Sequence, residues 1–436
     1  MTRMLTLLLT LTLTQVIGCG RSTPKPKPFE PASTVEETFK WHRALPTETT
    51  AWWDVVGEQQ AWYFKNVHQL YPTVNVYRDG PVRELRYRLM DEVADYMVET
   101  PDGEMRYIDF LRSEHSTTMG MVIVHRGEIV FETYPRMKEY EKPIYWSVTK
   151  AIVGTIVAIL EDRGQVDVSQ PIESYIPELQ GSPLGRITVR NVLDMASGID
   201  CSDDYEDFDS CYYLYEASLG DALRRSNSPD NPYEMLIDYD YGFWAEQGTG
   251  YDYSGVNTFL LGWMVEKITG MPFQDALTRE IWSHIGAEAD ASIFAGRYGV
   301  PLTHGGLLAK LRDLARVGLL FTPSYKVVSD KKIISDRYLD VILNGGRPEL
   351  LANARSGSGS LPKGIKHNVY QWDLVFDNND IFKGGWGGQG LLINPDRDYV
   401  AVYAGYFKDR QASEVSPLPT LRRVLEGVFG ASSSSL

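Results

Sequence analysis

The chain has 436 residues, 43 % of them hydrophobic, and a formal net charge of −15, enough for a large core in one big domain or two closely packed lobes. An acidic balance without a basic stripe argues against a nucleic-acid partner. The acidic run Ser202 to Asp209 lacks the glycine and spacing of an EF-hand loop, so it reads as a solvated loop and not a calcium site.

Residues 1–18 read as a secretory signal: Arg3 is a short basic region, and the apolar stretch Met4 to Ile17 is too short to span a membrane. Val16-Ile17-Gly18-Cys19 resembles a bacterial lipobox, in which Cys19 becomes the lipidated first residue. That predicts an envelope protein held to a membrane through a lipid anchor and facing the periplasm. Gly20, which is no acidic retention signal, points towards the outer membrane. Residues 19–33, with alternating Lys and Pro, form a tether. Cys201 and Cys211 close a short loop and are expected to be disulfide-bonded in an oxidising compartment, two buried thiols being the alternative. No further Cys or His lies near them at zinc-site spacing.

Residues 34–112 read as an N-terminal helical extension, rich in tryptophan (Trp41, Trp52, Trp53, Trp62) and packed on the outside of the main body. The body, 113–430, opens with a hairpin, Met121 to His125 and Glu128 to Phe131 around Arg126-Gly127. An apolar helix follows Ser147. A short helix covers Arg190 to Met195, an apolar one Phe259 to Thr269 up to Gly270, and an amphipathic one Leu307 to Phe321. Strands return at Leu391 to Asn394 and Tyr399 to Tyr403, a helix covers Leu418 to Phe429, and the serine tail 431–436 is expected to be disordered. The expected fold is therefore α+β: one antiparallel sheet built from both ends of the body and flanked by helices, with a mainly helical lobe over roughly 165–365.

Ser147 is the most informative residue. It stands at the mouth of an almost wholly apolar helix, and Lys150 lies one turn on, on the same face. Burial of that ammonium favours the neutral amine, which can take the serine's proton, and a helix N-terminus suits a developing oxyanion. Ser22…Lys25, Ser329…Lys332 and Ser360…Lys363 have the same spacing in loop-like segments, so context and not spacing selects Ser147.

Two later segments supply partners. Gly250-Tyr251-Asp252-Tyr253-Ser254-Gly255 places Tyr253 on a turn before a helix, where nearby cations could depress its phenol, or where it could simply cap a core. Gly384-Gly385-Trp386-Gly387-Gly388-Gln389-Gly390 precedes a strand, and its glycines allow close backbone approach. The backbone N–H of Gln389, with that of Ser147, could form an oxyanion hole. Tyr239, Tyr241, Phe243, Trp244 and Tyr251, with Tyr212, Tyr213 and Tyr215, could line an acyl-chain cleft or pack the core.

Ser147-Val148-Thr149-Lys150, Tyr253-Ser254-Gly255 and Trp386-Gly387-Gly388 together resemble the three active-site motifs of the serine β-lactamase and penicillin-binding protein superfamily. The resemblance is to its class C-like branch of esterases and 6-aminohexanoate-dimer hydrolases. Supporting stretches are Glu161 to Asp167, Val192 to Ile199 and Arg312 to Arg316. The resemblance implies acyl transfer through a covalent serine ester, without metal or organic cofactor. Ser147 would be the nucleophile, Lys150 and Tyr253 would share the proton work, and Trp386, Gly387, Gly388 and Gly255 would face the substrate. Which of Lys150 and Tyr253 is the base stays open. In this register the third motif lacks the usual cation and hydroxyl, and Gly255 replaces the usual asparagine. Both departures count against β-lactams and D-Ala-D-Ala peptides, although Lys383-Gly384-Gly385 just upstream offers an alternative register that restores the cation. The expected function is a serine hydrolase of a small ester or amide. The alternatives are a peptidoglycan or D-amino-acid peptidase or β-lactamase, and a catalytically inactive cell-surface binding protein.

Overall fold

The computed structural model describes residues 28–47, 51–355, 362–410 and 417–430. The expected signal segment, Cys19 and the serine tail lie outside these residues. The N-terminal segment contributes strands β1 (Thr73–Val76) and β2 (Arg86–Tyr87) and a hairpin of β3 (Met97–Thr100) and β4 (Gly103–Arg106), besides short helices. The body adds β5 (Thr118–His125), β6 (Glu128–Thr133), β7 (Ala291–Phe294), β8 (Leu307–Leu308), β9 (Ile365–Val369), β10 (Trp372–Phe376), β11 (Ile381–Gly385), β12 (Gln389–Asn394) and β13 (Tyr399–Gly405).

The main sheet runs β2-β6-β5-β13-β12-β11-β10-β9. It is antiparallel apart from the β2–β6 pair at one edge. Strands from the two ends of the body meet where β13 pairs with β5, Val402 opposite Val122 and Val400 opposite Val124. Its strands are apolar on both faces, as a sheet covered on both sides requires. Val122, Val124, Leu391, Ile393, Val400 and Val402 pack against the Val148–Asp162 helix and the helical lobe. The alternate residues Met121, Ile123, Leu392, Ala401 and Tyr403 pack under the Leu418–Phe429 helix. Between β6 and β9 the described chain is mainly helical, as expected, with only β7 and β8 as strands.

Two expectations need correction. The amphipathic helix covers Leu311–Leu319 only, because Leu307 and Leu308 are spent as β8 against β7. Leu307 also accepts the Tyr145 N–H at 2.8 Å and donates to Thr149 Oγ1 at 3.1 Å, so this strand braces the segment that carries Ser147. The N-terminal segment is neither purely helical nor peripheral. Thr73–Val76, rich in β-branched residues, pairs with β7, and Trp52 and Trp53 are buried. Both indoles donate to Asp221, at 3.3 Å each. Gln60 accepts the Phe407 N–H at 2.6 Å, which ties this segment to the end of β13. Cys201 and Cys211 are bonded, with Cα atoms 5.2 Å apart.

Because Trp52 is a fully buried strut between this segment and the body, Trp52→Ala should destabilise the fold by about 3–5 kcal/mol. Urea unfolding of the parent and the variant measures it, and an effect below about 1 kcal/mol would contradict a structural role for the segment.

Candidate active site

Ser147 directly precedes the Val148–Asp162 helix, with helical backbone angles (φ −61°, ψ −11°) and a side chain that makes no capping bond. Its hydroxyl is therefore free for other work. Trp146 before it has φ +46°, a conformation that costs a bulky residue about 1–3 kcal/mol. Packing holds it there: its ring stacks on Trp52 with centroids 5.5 Å apart and meets Trp53 and Phe64 edge-on at 6.0 and 5.6 Å. The N-terminal segment thus fixes the turn that presents Ser147 to a cleft of about 550 Å³.

Lys150 is 1 % exposed. Its Nζ lies 3.1 Å from Ser147 Oγ and donates to the His304 carbonyl at 2.9 Å. Burial pushes its pKa down to about 8, helped by Lys383, while Asp203, Asp373 and Glu216 pull it partly back. The His304 ring is held between Tyr215 Oη and Glu216 Oε1, each at 2.8 Å, and burial drops its pKa to about 3, so it stays neutral.

Tyr253 lines the same cleft as Ser147. Its ring lies between the two lysines, with Lys150 Nζ and Lys383 Nζ each 4.8 Å from its centroid. The expectation that cations depress this phenol is not met. Burial raises its pKa well above the ordinary value, and Asp373 and Asp203 add to the rise. The phenol stays protonated and can donate.

Strand β11 brings Lys383, the cation of the upstream register, towards Tyr253. Lys383 Nζ donates to Tyr253 Oη at 2.9 Å, so Lys383, and not Trp386, supplies the side chain that meets the phenol. This cation is not free, because it is ion-paired with Asp373 of β10. Gly385 is required by close approach, since a Cβ there would lie 2.3 Å from the Tyr145 carbonyl. Gly387 and Gly388 form the β11–β12 turn, with φ +79° and +83°. Gly388 lines the cleft, whereas a Cβ on Gly387 would meet Phe64 at 2.4 Å.

Gln389 lies within the β11–β12 ladder, opposite Gly385. Its side chain donates to the Gly405 carbonyl at 2.8 Å and accepts the Gly405 N–H at 3.2 Å. β10 pairs with β11 only as far as Leu374–Phe382, so Lys383 onward has an open edge. Gly384 N–H lies on that edge, donating to Asp373 Oδ2 at 3.1 Å. By strand alternation the next N–H on that side belongs to Trp386. Trp386, 38 % exposed, also forms an aromatic wall with Phe407, centroids 4.8 Å apart. Of the aromatic residues that could line an acyl-chain cleft or pack the core, Tyr212 and Tyr215 are buried around His304, and Phe243 and Trp244 line a separate surface hollow.

Gly255 starts the Gly255–Thr269 helix. A Cβ there would lie 2.6 Å from Tyr212 Oη and 3.0 Å from the His304 ring, which leaves no room for asparagine. Asp203 supplies a polar group instead, accepting the Gly255 N–H at 2.9 Å. Its loop, closed by the disulfide, is anchored where Ser254 Oγ donates to the Cys201 carbonyl at 2.6 Å. The acidic run is therefore not uniformly solvated: Asp203 turns inward, while Asp204, Glu206, Asp207 and Asp209 stay exposed. The competing Ser329 sits far from this chemistry, with its Oγ accepting the Lys331 N–H and Lys332 paired with Asp336.

A hydroxyl, a buried amine of lowered pKa and a protonated phenol converge on one cleft, which equips it for nucleophilic acyl transfer. The β-lactamase family profile matches residues 93–405. The chain belongs to the β-lactamase family. The chain is 29 % identical over 351 residues to the 6-aminohexanoate-dimer hydrolase of Paenarthrobacter ureafaciens, covering 80 % of this chain and 86 % of that one. A Bacillus anthracis protein assigned as a 6-aminohexanoate-dimer hydrolase superposes with a TM-score of 0.73 at 21 % identity, over 87 % of this chain and 98 % of its own. A class C β-lactamase variant superposes with a TM-score of 0.53 at 15 % identity, over 77 % of this chain and 96 % of its own. The protein is a serine hydrolase with a small-molecule substrate.

A base with a pKa of about 8 works only when deprotonated. Acylation kcat/KM should therefore fall about tenfold per pH unit below pH 8 and level off above it. Stopped-flow or steady-state pH profiles with a neutral ester measure this, and a flat profile from pH 6 to 9 would remove Lys150 as the base.

Proposed function

We propose that this hydrolase cleaves small esters or amides that carry no carboxylate near the scissile bond, through an acyl-serine intermediate. The observation that carries the reading is the buried Lys150 Nζ at 3.1 Å from Ser147 Oγ. The neutral amine takes the serine proton as Oγ bonds to the carbonyl carbon. The N–H groups of Ser147 and Trp386 hold the resulting oxyanion. Tyr253 gives its proton to the departing alkoxide or amine as the C–O or C–N bond breaks, and is reprotonated from the Lys150 ammonium. Water then adds to the acyl carbon, passing its proton to the same pair, and releases the acid and Ser147.

Lys383 answers the cation of penicillin-recognising sites, which favours the peptidase or β-lactamase reading, but its pairing with Asp373 weighs against that reading. The name of the 29 % identical relative supports amides beside esters as substrates. Intact mass after incubation with a fluorophosphonate should show one adduct on the parent and none on Ser147→Ala. Labelled penicillin should leave the parent unmodified, and stable acylation by it would move the assignment to the peptidase or β-lactamase reading.

For location we propose an envelope lipoprotein anchored through Cys19, a reading that rests on the lipobox-like sequence. The Cys201–Cys211 disulfide, which suits an oxidising compartment, supports it. Cys19→Ser should move the full chain from the membrane fraction to the soluble one, and unchanged retention on membranes would refute the anchor.

A further inference from the structure

The proposed mechanism places Lys383 beside the leaving group, because its Nζ donates to the phenol that would protonate that group. A cation there would ordinarily attract a substrate carboxylate, joined by the strand-edge N–H of Gly384. Both donors are already taken, and by one side chain: Asp373 Oδ1 pairs with Lys383 Nζ, and Asp373 Oδ2 accepts the Gly384 N–H at 3.1 Å. Lys383 is fully buried, while Asp373 lines the cleft beside Ser147 and Tyr253. The other ionisable groups facing the two lysines are Asp203, Glu216, the neutral His304 and Tyr253. None of these adds a free cation to this half of the cleft.

We propose that Asp373 is a specificity-determining residue, an internal carboxylate that occupies the anion-recognition position and excludes substrates whose leaving group carries a carboxylate close to the scissile bond. The inference rests on the serine-hydrolase reading above and adds a selection rule to it. An incoming carboxylate would meet a neutralised ammonium, an occupied N–H and a fixed negative charge, and would lose its hydration without a partner. An uncharged leaving group meets no such cost.

The test compares phenyl butanoate with 3-carboxyphenyl butanoate, esters of one acid whose leaving groups differ by a carboxylate. The parent should prefer the neutral ester in kcat/KM by at least about tenfold, equivalent to about 1.4 kcal/mol. Asp373→Asn should shift that ratio towards the acidic ester by at least about tenfold, while Asp373→Glu should leave it near the parent's. Burial already lowers the Lys383 pKa, and Asp373 raises it. The gain should therefore grow as the pH falls, following the protonated form of Lys383, and should vanish in Asp373→Asn combined with Lys383→Gln. An unchanged ratio in Asp373→Asn from pH 6 to 9 overturns the assignment of Asp373 and leaves the hydrolase reading standing. If that variant does not fold, the parent still decides, since equal turnover of both esters overturns the proposal. Failure of the parent to cleave phenyl butanoate, with no fluorophosphonate adduct, would take the hydrolase reading down together with it.

Discussion

A lysine without access to solvent is the constraint around which this molecule is arranged. Removing an ammonium from water is costly unless it is paired or gives up its proton. Two buried lysines flank Tyr253, and the structure treats them in opposite ways. Lys383 is in direct contact with Asp373. Lys150 has a hydroxyl and a carbonyl as its hydrogen-bond partners, and Asp203 and Glu216 act on it only through their fields. Direct contact with a carboxylate would restore its charge and end its use as a base. The held-back carboxylates keep its pKa near 8 instead of letting burial drive it lower. The phenol beside the lysines responds to burial, to Asp373 and to Asp203 by holding its proton. One environment thus produces a proton acceptor and a proton donor within reach of a single hydroxyl.

The position of that hydroxyl depends on residues far away in sequence. Trp146 adopts a left-handed backbone that its own sequence does not favour, and Trp52, Trp53 and Phe64 enclose its ring. β8 and Gly385 close on the same turn from two other sides. Strain at a nucleophile persists only where the surroundings over-determine it, and here three separate parts of the chain do so. The N-terminal segment therefore belongs to the site as much as to the scaffold.

Much of this was legible in the sequence. Short unbroken apolar runs at Met121 to His125 and Tyr399 to Tyr403 mark the strands that pair at the centre of the sheet. Ser147 and Lys150 announced themselves through an apolar helix with a reactive mouth. What escaped was set by tertiary contact. Leu307-Leu308 reads as helix by propensity and became a strand because β7 offered an edge. In the third motif the glycines cluster around Trp386, whereas the side chain of β11 that meets Tyr253 is that of Lys383, a distinction set by strand register. Asp203 sits in an acidic run whose other members are solvated, and no local signal separates it from them. Asp373 lies in a strand of ordinary alternation, and His304 in a short Thr-His-Gly-Gly stretch. Their meaning comes only from what the fold brings opposite them.

Asp373 also shows why shared motifs do not carry substrate choice with them. Lys383 can stand for the cation of the third motif and meets the phenol, so a reading of residues by type would restore anion recognition. The field at a site is the sum of its charges and not the presence of one. A cation paired with a carboxylate at the second residue of the neighbouring strand offers a ligand little net charge, and two of its three N–H bonds already serve Asp373 and Tyr253. It still orients Tyr253, because that bond uses a different proton of the same ammonium. Pairing Lys383 therefore separates two roles that one residue can hold together: it keeps the lysine's part in the proton machinery and removes its part in binding. Selectivity can change on this fold by a single carboxylate, with the nucleophile, amine and phenol left where they are.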